Sequence, residues 1–251
     1  MAETYPAILF VHGFPFDHEQ WRPQLERFTR WRCLAPDLRG IRGGNPPPAG
    51  YAMSVYADDL VGVLDRARID RAVWCGLSMG GYILFEVLRR HRERVLGVVL
   101  CDTKAEPDTA EGKAGRDDLM RVAERDGAAA IAERLLPKVL GATTRAQRPD
   151  VVALVRAMAS RLLVPGLIGA LRAMRERPDS RPLLEQIDVP ALVLGGSEDE
   201  ISPPAGMREM AQRIGGSKYV EVPEAGHLTP LERPELVNEA LEDFLLHASF
   251  G

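Results

Sequence analysis

A Gly-x-Ser-x-Gly pattern around Ser78 has the residue types and spacing of a serine nucleophile. It follows a short apolar run at 72–75 and precedes a mostly apolar segment at 82–88. Between a buried strand and a buried helix, this pattern holds the serine hydroxyl at the tip of a sheet, beside the positive end of the helix. The turn is so tight that Gly76 and Gly80 must be small. We therefore predict that Ser78 is a nucleophile rather than part of a merely structural turn.

A serine hydroxyl is a weak nucleophile and needs a base that is itself held by a third group. Of the five histidines, His227 lies in a loop directly after a predicted strand. In a parallel sheet that end of the strand is at the same edge as Ser78, so we predict that His227 is the base. The other four are interpreted as structural or solvated: His12 at the end of the first strand, His18 in a polar segment, and His91 and His247 at charged helix ends.

Two aspartates could orient the base, because both follow a predicted strand and both lie between the serine and the histidine in the chain. Asp199 is favoured, since its glycine-rich approach frees the loop to bend toward His227. Asp102 remains the alternative. Glu198 and Glu200 have suitable chemistry but are interpreted as solvated neighbours of Asp199.

Acyl transfer develops negative charge on the carbonyl oxygen, so two backbone N–H groups should face it. The tight turn supplies the amide of Met79. We predict that the second donor is the amide of Phe14, because Gly13 lets the loop after the first strand approach closely. The alternative interpretation of His12 and Gly13 is a turn that only ends the strand.

Strand and helix patterns alternate along most of the chain, which indicates a parallel α/β sheet with right-handed crossovers. A glycine- and proline-rich loop is predicted at 42–50. From about 103 to 187 helical periodicity continues without a convincing strand, which is too long for a loop. We predict a core of residues 1–102 and 188–251 and an inserted helical unit at 103–187.

The composition limits the classes of protein. The 251 residues carry a net charge of -4, which gives no electrostatic reason to expect a nucleic-acid partner. Apolar stretches are shorter than the ~20 residues of a membrane span, and no signal peptide is visible, so we expect a cytoplasmic enzyme without a membrane partner.

Cofactors and metals are not expected from the motifs. The glycines near Ser78 do not fit G-x-G-x-x-G, and no metal-ligand spacing is present. The cysteines are best interpreted as small buried hydrophobic residues rather than a disulfide or a metal site; they are Cys33, Cys75 and Cys101.

Several motifs together resemble the α/β-hydrolase superfamily, and within it the chain is similar to bacterial carboxylesterases and 3-oxoadipate enol-lactone hydrolases. The motifs are His12-Gly13-Phe14-Pro15, Asp37-Leu38-Arg39-Gly40, Gly76 to Gly81, Asp199 with Ile201 to Pro204, and Ala225-Gly226-His227 followed by Glu232-Arg233-Pro234. The resemblance implies an α/β-hydrolase fold with a helical cap at 103–187. Dehalogenases and epoxide hydrolases are disfavoured, because they use an aspartate where this chain has Ser78.

The chain departs from this pattern at its start, where relatives usually have two more strands and only six residues precede Ala7. We expect a mainly parallel sheet of about six strands, with a strand at 33–36 on one edge. An unprotected apolar edge favours pairing with another chain. We therefore expect a homo-oligomer or lower stability than in relatives.

The expected reaction is hydrolysis of a small-molecule carboxylic ester through an acyl-enzyme on Ser78. Lactone opening, peracid formation or carbon–carbon cleavage could use the same residues, and a ligand receptor with slow turnover is a rival from another class. Three methionines of the helical unit could form an apolar lining or simply its core: Met120, Met158 and Met174.

Overall fold

Six strands form one sheet in the order β2-β1-β3-β4-β5-β6, and every neighbouring pair in it is parallel. The computed structural model describes residues 5–42 and 50–250, so most of the loop predicted at 42–50 lies outside the described residues. The strands are β1 (Ala7–Val11), β2 (Cys33–Leu34), β3 (Ala72–Leu77), β4 (Val95–Cys101), β5 (Ala191–Gly196) and β6 (Lys218–Val222). The predicted fold class, an α/β-hydrolase sheet of six strands, is confirmed.

The core lies on both faces of the sheet, as continuous apolar strands predict. Along β1, Leu9 and Val11 belong to one buried cluster, whereas Ile8 and Phe10 belong to a second one. Both β3 and β5 are buried along their whole length.

Helices cover the two faces. The α-helices among the described residues are α1 (Arg22–Arg27), α2 (Met53–Arg66), α3 (Met79–Arg90), α4 (Ala110–Val139), α5 (Ala142–Gln147), α6 (Pro149–Ser160), α7 (Val164–Arg175), α8 (Pro204–Arg213), α9 (Thr229–Glu232) and α10 (Pro234–His247). The first cluster includes buried residues of α2, α3 and α8. The second includes those of α10. The sheet is therefore the middle layer of three.

The edge strand β2 is shorter than predicted. The sequence predicts a strand at 33–36, but only Cys33 and Leu34 pair with β1, opposite Ile8 and Leu9. Its position at the edge is as predicted. A short edge strand offers few unpaired backbone groups to another chain, so the predicted pairing liability is smaller than the sequence suggests.

Between β4 and β5 the chain is helical, as predicted. Helix α4 contacts α6 and α7, and it bends at Gly127, whose φ of 79° is left-handed. Met158 and Met174 are both buried, each in one of the two apolar clusters, which favours the core interpretation of these residues. We call residues 103–187 the helical insertion.

Within residues 5–42 and 50–250, no single helix has the length and apolar composition that would let it cross a membrane. Helices α6 and α7 pass that test only as a pair, and they are bent by 97° relative to each other.

A buried carboxylate joins the helical insertion to the loop after β1. Asp17 is fully buried, and its Oδ2 accepts hydrogen bonds from Arg42 at 2.8 Å and from Arg161 at 2.7 Å. Burial raises the pKa of Asp17. The hydrogen bonds from the two guanidinium groups lower it by more than burial raises it, so the net shift is downward. Arg161 lies between α6 and α7, so this ion pair connects the insertion to the core.

We predict that Asp17→Asn lowers the free energy of unfolding by about 2 kcal/mol at neutral pH, because two arginines lose the buried charged acceptor that they share. Urea unfolding measures this loss. Since folding lowers the pKa of Asp17, its contribution is present at neutral pH and disappears as the pH falls through the folded-state pKa.

The difference between Asp17→Asn and the wild type should therefore shrink in acid. Asp150→Asn is the matched control, because Asp150 pairs with Arg148 on the surface and should leave the unfolding midpoint unchanged. An unchanged midpoint in Asp17→Asn would show that Asp17 does not stabilise the fold.

Candidate active site

Ser78 occupies a strained turn between β3 and α3. Its φ of 54° and ψ of -112° lie in a region that non-glycine residues rarely adopt. Two hydrogen bonds from neighbouring segments hold this backbone: the Ser78 N–H donates to the Cys101 carbonyl at 2.9 Å, and Thr103 Oγ1 donates to the Ser78 carbonyl at 2.8 Å. The end of β4 therefore supports the turn that presents the serine.

The glycines around Ser78 are required by close backbone contacts, as the sequence predicts. A Cβ on Gly76 would lie 2.7 Å from the carbonyl carbon and oxygen of Gly80. A Cβ on Gly80 would overlap the carbonyl oxygen of Val11. Because the atoms that would be hit belong to the backbone, they cannot move aside as a flexible side chain could. The first turn of α3 is thus packed directly against the end of β1.

The structure brings Ser78, His227 and Asp199 together. His227 Nε2 lies 2.8 Å from Ser78 Oγ, and His227 Nδ1 lies 2.7 Å from Asp199 Oδ2. All three are buried, with exposed fractions of 8%, 2% and 3% respectively. These partners assign the proton of the neutral imidazole to Nδ1, which leaves Nε2 to accept the Ser78 O–H.

The Asp199 carboxylate is fixed by its own loop between β5 and α8. Its Oδ1 accepts the N–H groups of Ile201 at 2.8 Å and Ser202 at 2.9 Å. These two bonds leave Oδ2 for His227. Asp199, the acid favoured from the sequence, is thus the carboxylate that contacts the histidine.

Asp102, the alternative acid, has other partners. Its Oδ1 accepts the N–H of Gly196 at 3.0 Å, and its Oδ2 accepts the N–H of Thr229 at 3.2 Å and the hydroxyl of Thr229 at 2.6 Å. Asp102 therefore links the end of β4 to the end of β5 and the start of α9. Complete burial, together with the charge of Asp199, raises the pKa of Asp102 to about 8.

The surroundings of His227 favour its charged form. Burial lowers the pKa of His227, but the nearby charge and hydrogen bond of Asp199 raise it, and the charges of Asp102 and Glu232 act in the same direction. The net result is a pKa above the usual value of 6.5. An imidazole in this setting is well suited to accept a proton from Ser78.

The loop after β1 lies against the serine turn. A Cβ on Gly13 would be 2.9 Å from Leu77 Cδ2 and 3.4 Å from Ser78 Cβ, and the Gly13 N–H donates to Gln20 Oε1 at 2.9 Å. The Gly13–Phe14 peptide, whose N–H is the predicted second oxyanion donor, is therefore beside Ser78. The other predicted donor, the Met79 N–H, follows Ser78 directly.

His12 fixes the start of that loop. Its Nδ1 lies 2.9 Å from the Gly13 carbonyl, and its Nε2 accepts the Leu38 N–H at 3.0 Å. Burial lowers the pKa of His12, in keeping with a neutral ring that donates once and accepts once. The remaining histidines have surface or half-buried partners: His18 pairs with Asp37, His91 with Asp58, and His247 with Asp243.

One cluster in the described residues has the composition of a metal site, because ligand atoms of Asp17, His18 and Asp37 lie within 4.8 Å of one another. Arg42 and Arg161 already place two guanidinium groups on the Asp17 carboxylate, and Arg42 also lies 3.5 Å from Asp37. These cations supply the positive charge that a metal ion would bring, so the cluster fits an ion-pair network better than a metal site.

Two carboxylates beside the site differ from expectation. Glu198, interpreted from the sequence as solvated, accepts the Thr143 N–H at 2.9 Å and the Thr143 hydroxyl. Glu232 is completely buried and accepts three backbone N–H groups. Glu232 belongs to the motif Glu232-Arg233-Pro234, but the motif assigns it no role. The contacts of the two glutamates with Gly141 and Thr143 are not predicted, because those partners lie in the helical insertion, far away in the chain.

Comparison with known proteins identifies the family of the chain. Residues 6–234 match the family model of the alpha/beta hydrolase fold. A malate-bound thermophilic esterase from Thermogutta terrifontis is 39% identical with a TM-score of 0.93, and the match covers 97% of this chain and 90% of that chain. The enol-lactonase from Burkholderia xenovorans LB400 is 32% identical with a TM-score of 0.89, covering 98% of this chain and 93% of that chain.

The 3-oxoadipate enol-lactonase 2 of Acinetobacter baylyi is 26% identical, over 94% of this chain and 87% of its own length. These relatives support hydrolase activity. From the sheet order, the residues matched by the family model and these similarities, the chain belongs to the α/β hydrolase fold family.

Proposed function

We propose that this protein is a serine hydrolase that cleaves carboxylic esters through an acyl-enzyme on Ser78. One observation carries the proposal: a continuous chain of hydrogen-bond contacts runs from Ser78 Oγ through His227 to Asp199. This order of nucleophile, base and orienting acid is the arrangement used for acyl transfer on several unrelated folds. The similarity to an esterase supports the choice of ester substrates.

In the first half of the proposed reaction, Ser78 Oγ attacks the ester carbonyl carbon while His227 Nε2 takes its proton. Asp199 stabilises the imidazolium that forms. The carbonyl oxygen becomes negatively charged and accepts hydrogen bonds from the Phe14 and Met79 amides. The buried setting of Ser78 and His227 strengthens these electrostatic interactions relative to bulk water.

In the second half, the His227 Nε2–H gives its proton to the leaving alcohol, and the acyl group stays on Ser78. Water then attacks the acyl carbon as His227 accepts a proton from it, and the carboxylic acid leaves when Ser78 Oγ is protonated again. Both attacks, by Ser78 and later by water, require His227 to start as a neutral base. Since the pKa of His227 is raised, we expect the acid limb of the pH–activity profile to lie above pH 6.5.

Lactone hydrolysis is the second candidate, because an enol-lactonase is 32% identical over nearly the whole chain. A lactone is a cyclic ester, so the same residues would act in the same order, and the leaving oxygen would stay tethered to the acyl group. Measuring kcat/KM for short-chain aryl esters of increasing acyl length and for enol lactones in parallel separates the two substrates.

We also propose that the helical insertion, residues 103–187, acts as a cap over the site. Its Gly166 lies so close to Gly40 that a Cβ at position 166 would overlap the Gly40 carbonyl, and its Gly141 packs in the same way against Gly226, the residue before His227. These contacts support a cap that rests on the loops at the carboxyl edge of the sheet.

We predict that Ser78→Ala lowers kcat by ~10³-fold or more, because no other group replaces the attacking oxygen. The change removes only one oxygen atom and leaves the side-chain carbon in place, so the unfolding midpoint should stay close to that of the wild type. Steady-state hydrolysis of a chromogenic ester measures the loss, and mass spectrometry after treatment with a fluorophosphonate shows whether Ser78 carries the label.

Turnover within tenfold of the wild type in Ser78→Ala would exclude Ser78 as the nucleophile. The same chromogenic ester separates an enzyme from a slow receptor. Rapid repeated turnover after the first acylation supports the enzyme, whereas a single slow release supports the receptor.

We predict that Asp199→Asn lowers kcat by ~10³-fold or more, whereas Asp102→Asn causes a much smaller loss. Only Asp199 contacts His227 Nδ1, and an asparagine there no longer stabilises the imidazolium. The two variants are compared with the same ester at the same pH. A larger loss in Asp102→Asn would identify Asp102 as the orienting acid instead.

Asp102→Asn has its own readout in the pH dependence of stability. The folded state raises the pKa of Asp102 from 3.8 to about 8, so the folded protein binds a proton that the unfolded chain releases. The proton bound by Asp102 in the folded state therefore makes the free energy of unfolding fall as the pH rises between about 4 and 8. Because asparagine does not titrate, that part of the slope should be absent from urea unfolding of Asp102→Asn.

A further inference from the structure

Glu232 is a completely buried carboxylate whose acceptors are used by backbone N–H groups. Its Oε1 accepts from Gly226 at 3.0 Å and from Leu228 at 2.9 Å, and its Oε2 accepts from Gly141 at 2.8 Å. A carboxylate that accepts several backbone donors is held in one orientation. Its position in α9 therefore determines the position of all three donors.

Two of these donors flank His227 on either side. With the N–H groups of residues 226 and 228 bound to the same oxygen, the backbone that carries the imidazole has little freedom to shift. The third donor, Gly141, directly precedes α5 in the helical insertion. One carboxylate thus joins the loop of the proposed base to the insertion.

A second carboxylate makes the matching connection on the loop of the proposed acid. Glu198 directly precedes Asp199, and its side chain accepts both the N–H and the hydroxyl of Thr143 in the insertion. The Glu198 N–H also donates to the Ala225 carbonyl at 2.8 Å, which ties the acid loop to the base loop. Residues 141–143 therefore contact both loops at once.

Gly141 and Gly226 pack so closely that neither position has room for a side chain. A Cβ on Gly141 would lie 2.5 Å from Glu198 Oε2 and 2.8 Å from the Gly226 nitrogen. A Cβ on Gly226 would in turn overlap the Gly141 nitrogen. Because backbone meets backbone here, a displacement of residues 141–143 must be transmitted to the loops that carry His227 and Asp199.

We propose that Glu232 and Glu198 are positioning residues. Through them, the alignment of His227 and Asp199 depends on the position of residues 141–143 of the helical insertion. Neither glutamate contacts the reacting atoms; both act through the loops they hold. The catalytic consequence rests on the proposed function, since it requires His227 to be the base. The geometric consequence, a His227 environment that depends on the insertion, does not.

Glu232 also acts on His227 through its charge. Asp199, Asp102 and Glu232 are among the ionisable groups that raise the pKa of the buried His227 imidazole. Of these, Asp199 contacts the imidazole, and Asp102 is held by Gly196 and Thr229. Neutralising Glu232 removes its contribution, so the pKa of His227 should fall.

Glu232→Gln is the first variant. A glutamine of the same shape keeps one acceptor oxygen, but its NH2 group cannot accept a hydrogen bond. At least one backbone N–H then loses its acceptor, so the glutamine cannot bind both the His227 loop and Gly141. We expect kcat to fall by about tenfold or more with little change in KM, because misplaced reacting groups slow the chemical step. The acid limb of kcat/KM should move to lower pH. Glu232→Asp keeps the charge and should leave that limb near its wild-type position.

Gly141→Ala is the second variant, and it lies in the insertion rather than in either loop. Its φ of -59° suits alanine, so only the added Cβ disturbs the junction. We expect a lower kcat with nearly unchanged KM. Glu86→Gln is the matched control: Glu86 is a buried carboxylate on α3 that pairs with Arg89, and its loss should leave kcat and the pH profile unchanged.

A readout independent of turnover is the NMR signal of the His227 Nδ1 proton, followed through its pH titration. In Glu232→Gln this titration should move to lower pH, and in Gly141→Ala the signal should shift, whereas Glu86→Gln should match the wild type. If the wild type hydrolyses no ester, the proposed function fails while this titration still tests the positioning role. A wild-type His227 pKa in folded Glu232→Gln, or a wild-type signal in Gly141→Ala, overturns the proposal; if Glu232→Gln does not fold, Gly141→Ala decides.

Discussion

The contact between the first turn of α3 and the end of β1 is the constraint on which the site depends. Gly80 lies against the Val11 carbonyl with no room for a side chain. The same turn holds Ser78 at a φ of 54° and lies against Gly13, so that the Gly13–Phe14 peptide is beside the serine. Two hydrogen bonds from the end of β4 then hold the strained residue. The strained backbone of Ser78 persists because contacts from the neighbouring parallel strands hold the turn in place.

Around this turn the protein buries more carboxyl groups than basic side chains. Asp102, Asp199 and Glu232 are all buried close to the single imidazole of His227. Isolated buried carboxylates are costly, but each of these accepts at least two backbone N–H groups from the ends of strands and the starts of short helices. The backbone N–H groups that bind these carboxyl groups also hold the loops together. The same hydrogen bonds therefore stabilise the buried carboxyl groups and make the site rigid.

Local motifs carried most of the information about the fold and the candidate residues. Ser78, His227 and Asp199 were predicted because each follows an apolar strand, and parallel strands end at one edge of the sheet. The preference for Asp199 over Asp102 came from loop composition, which agrees with the observed contact to His227. The contact of Glu198 with Thr143 and that of Glu232 with Gly141 are not predictable in this way, because Thr143 and Gly141 lie in the insertion and no local pattern encodes its approach.

The two glycine contacts of the helical insertion have a consequence for how such proteins diversify. Gly166 against Gly40 and Gly141 against Gly226 are junctions of bare backbone, and Gly40 also needs its left-handed φ of 81°. An exchange of insertions between relatives therefore has to preserve these junctions, whatever helices lie between them. Only solvent-exposed positions of α4 and α6 are free of such constraints, because their other faces are buried in the two apolar clusters. The backbone junctions therefore limit which insertions this sheet can accept.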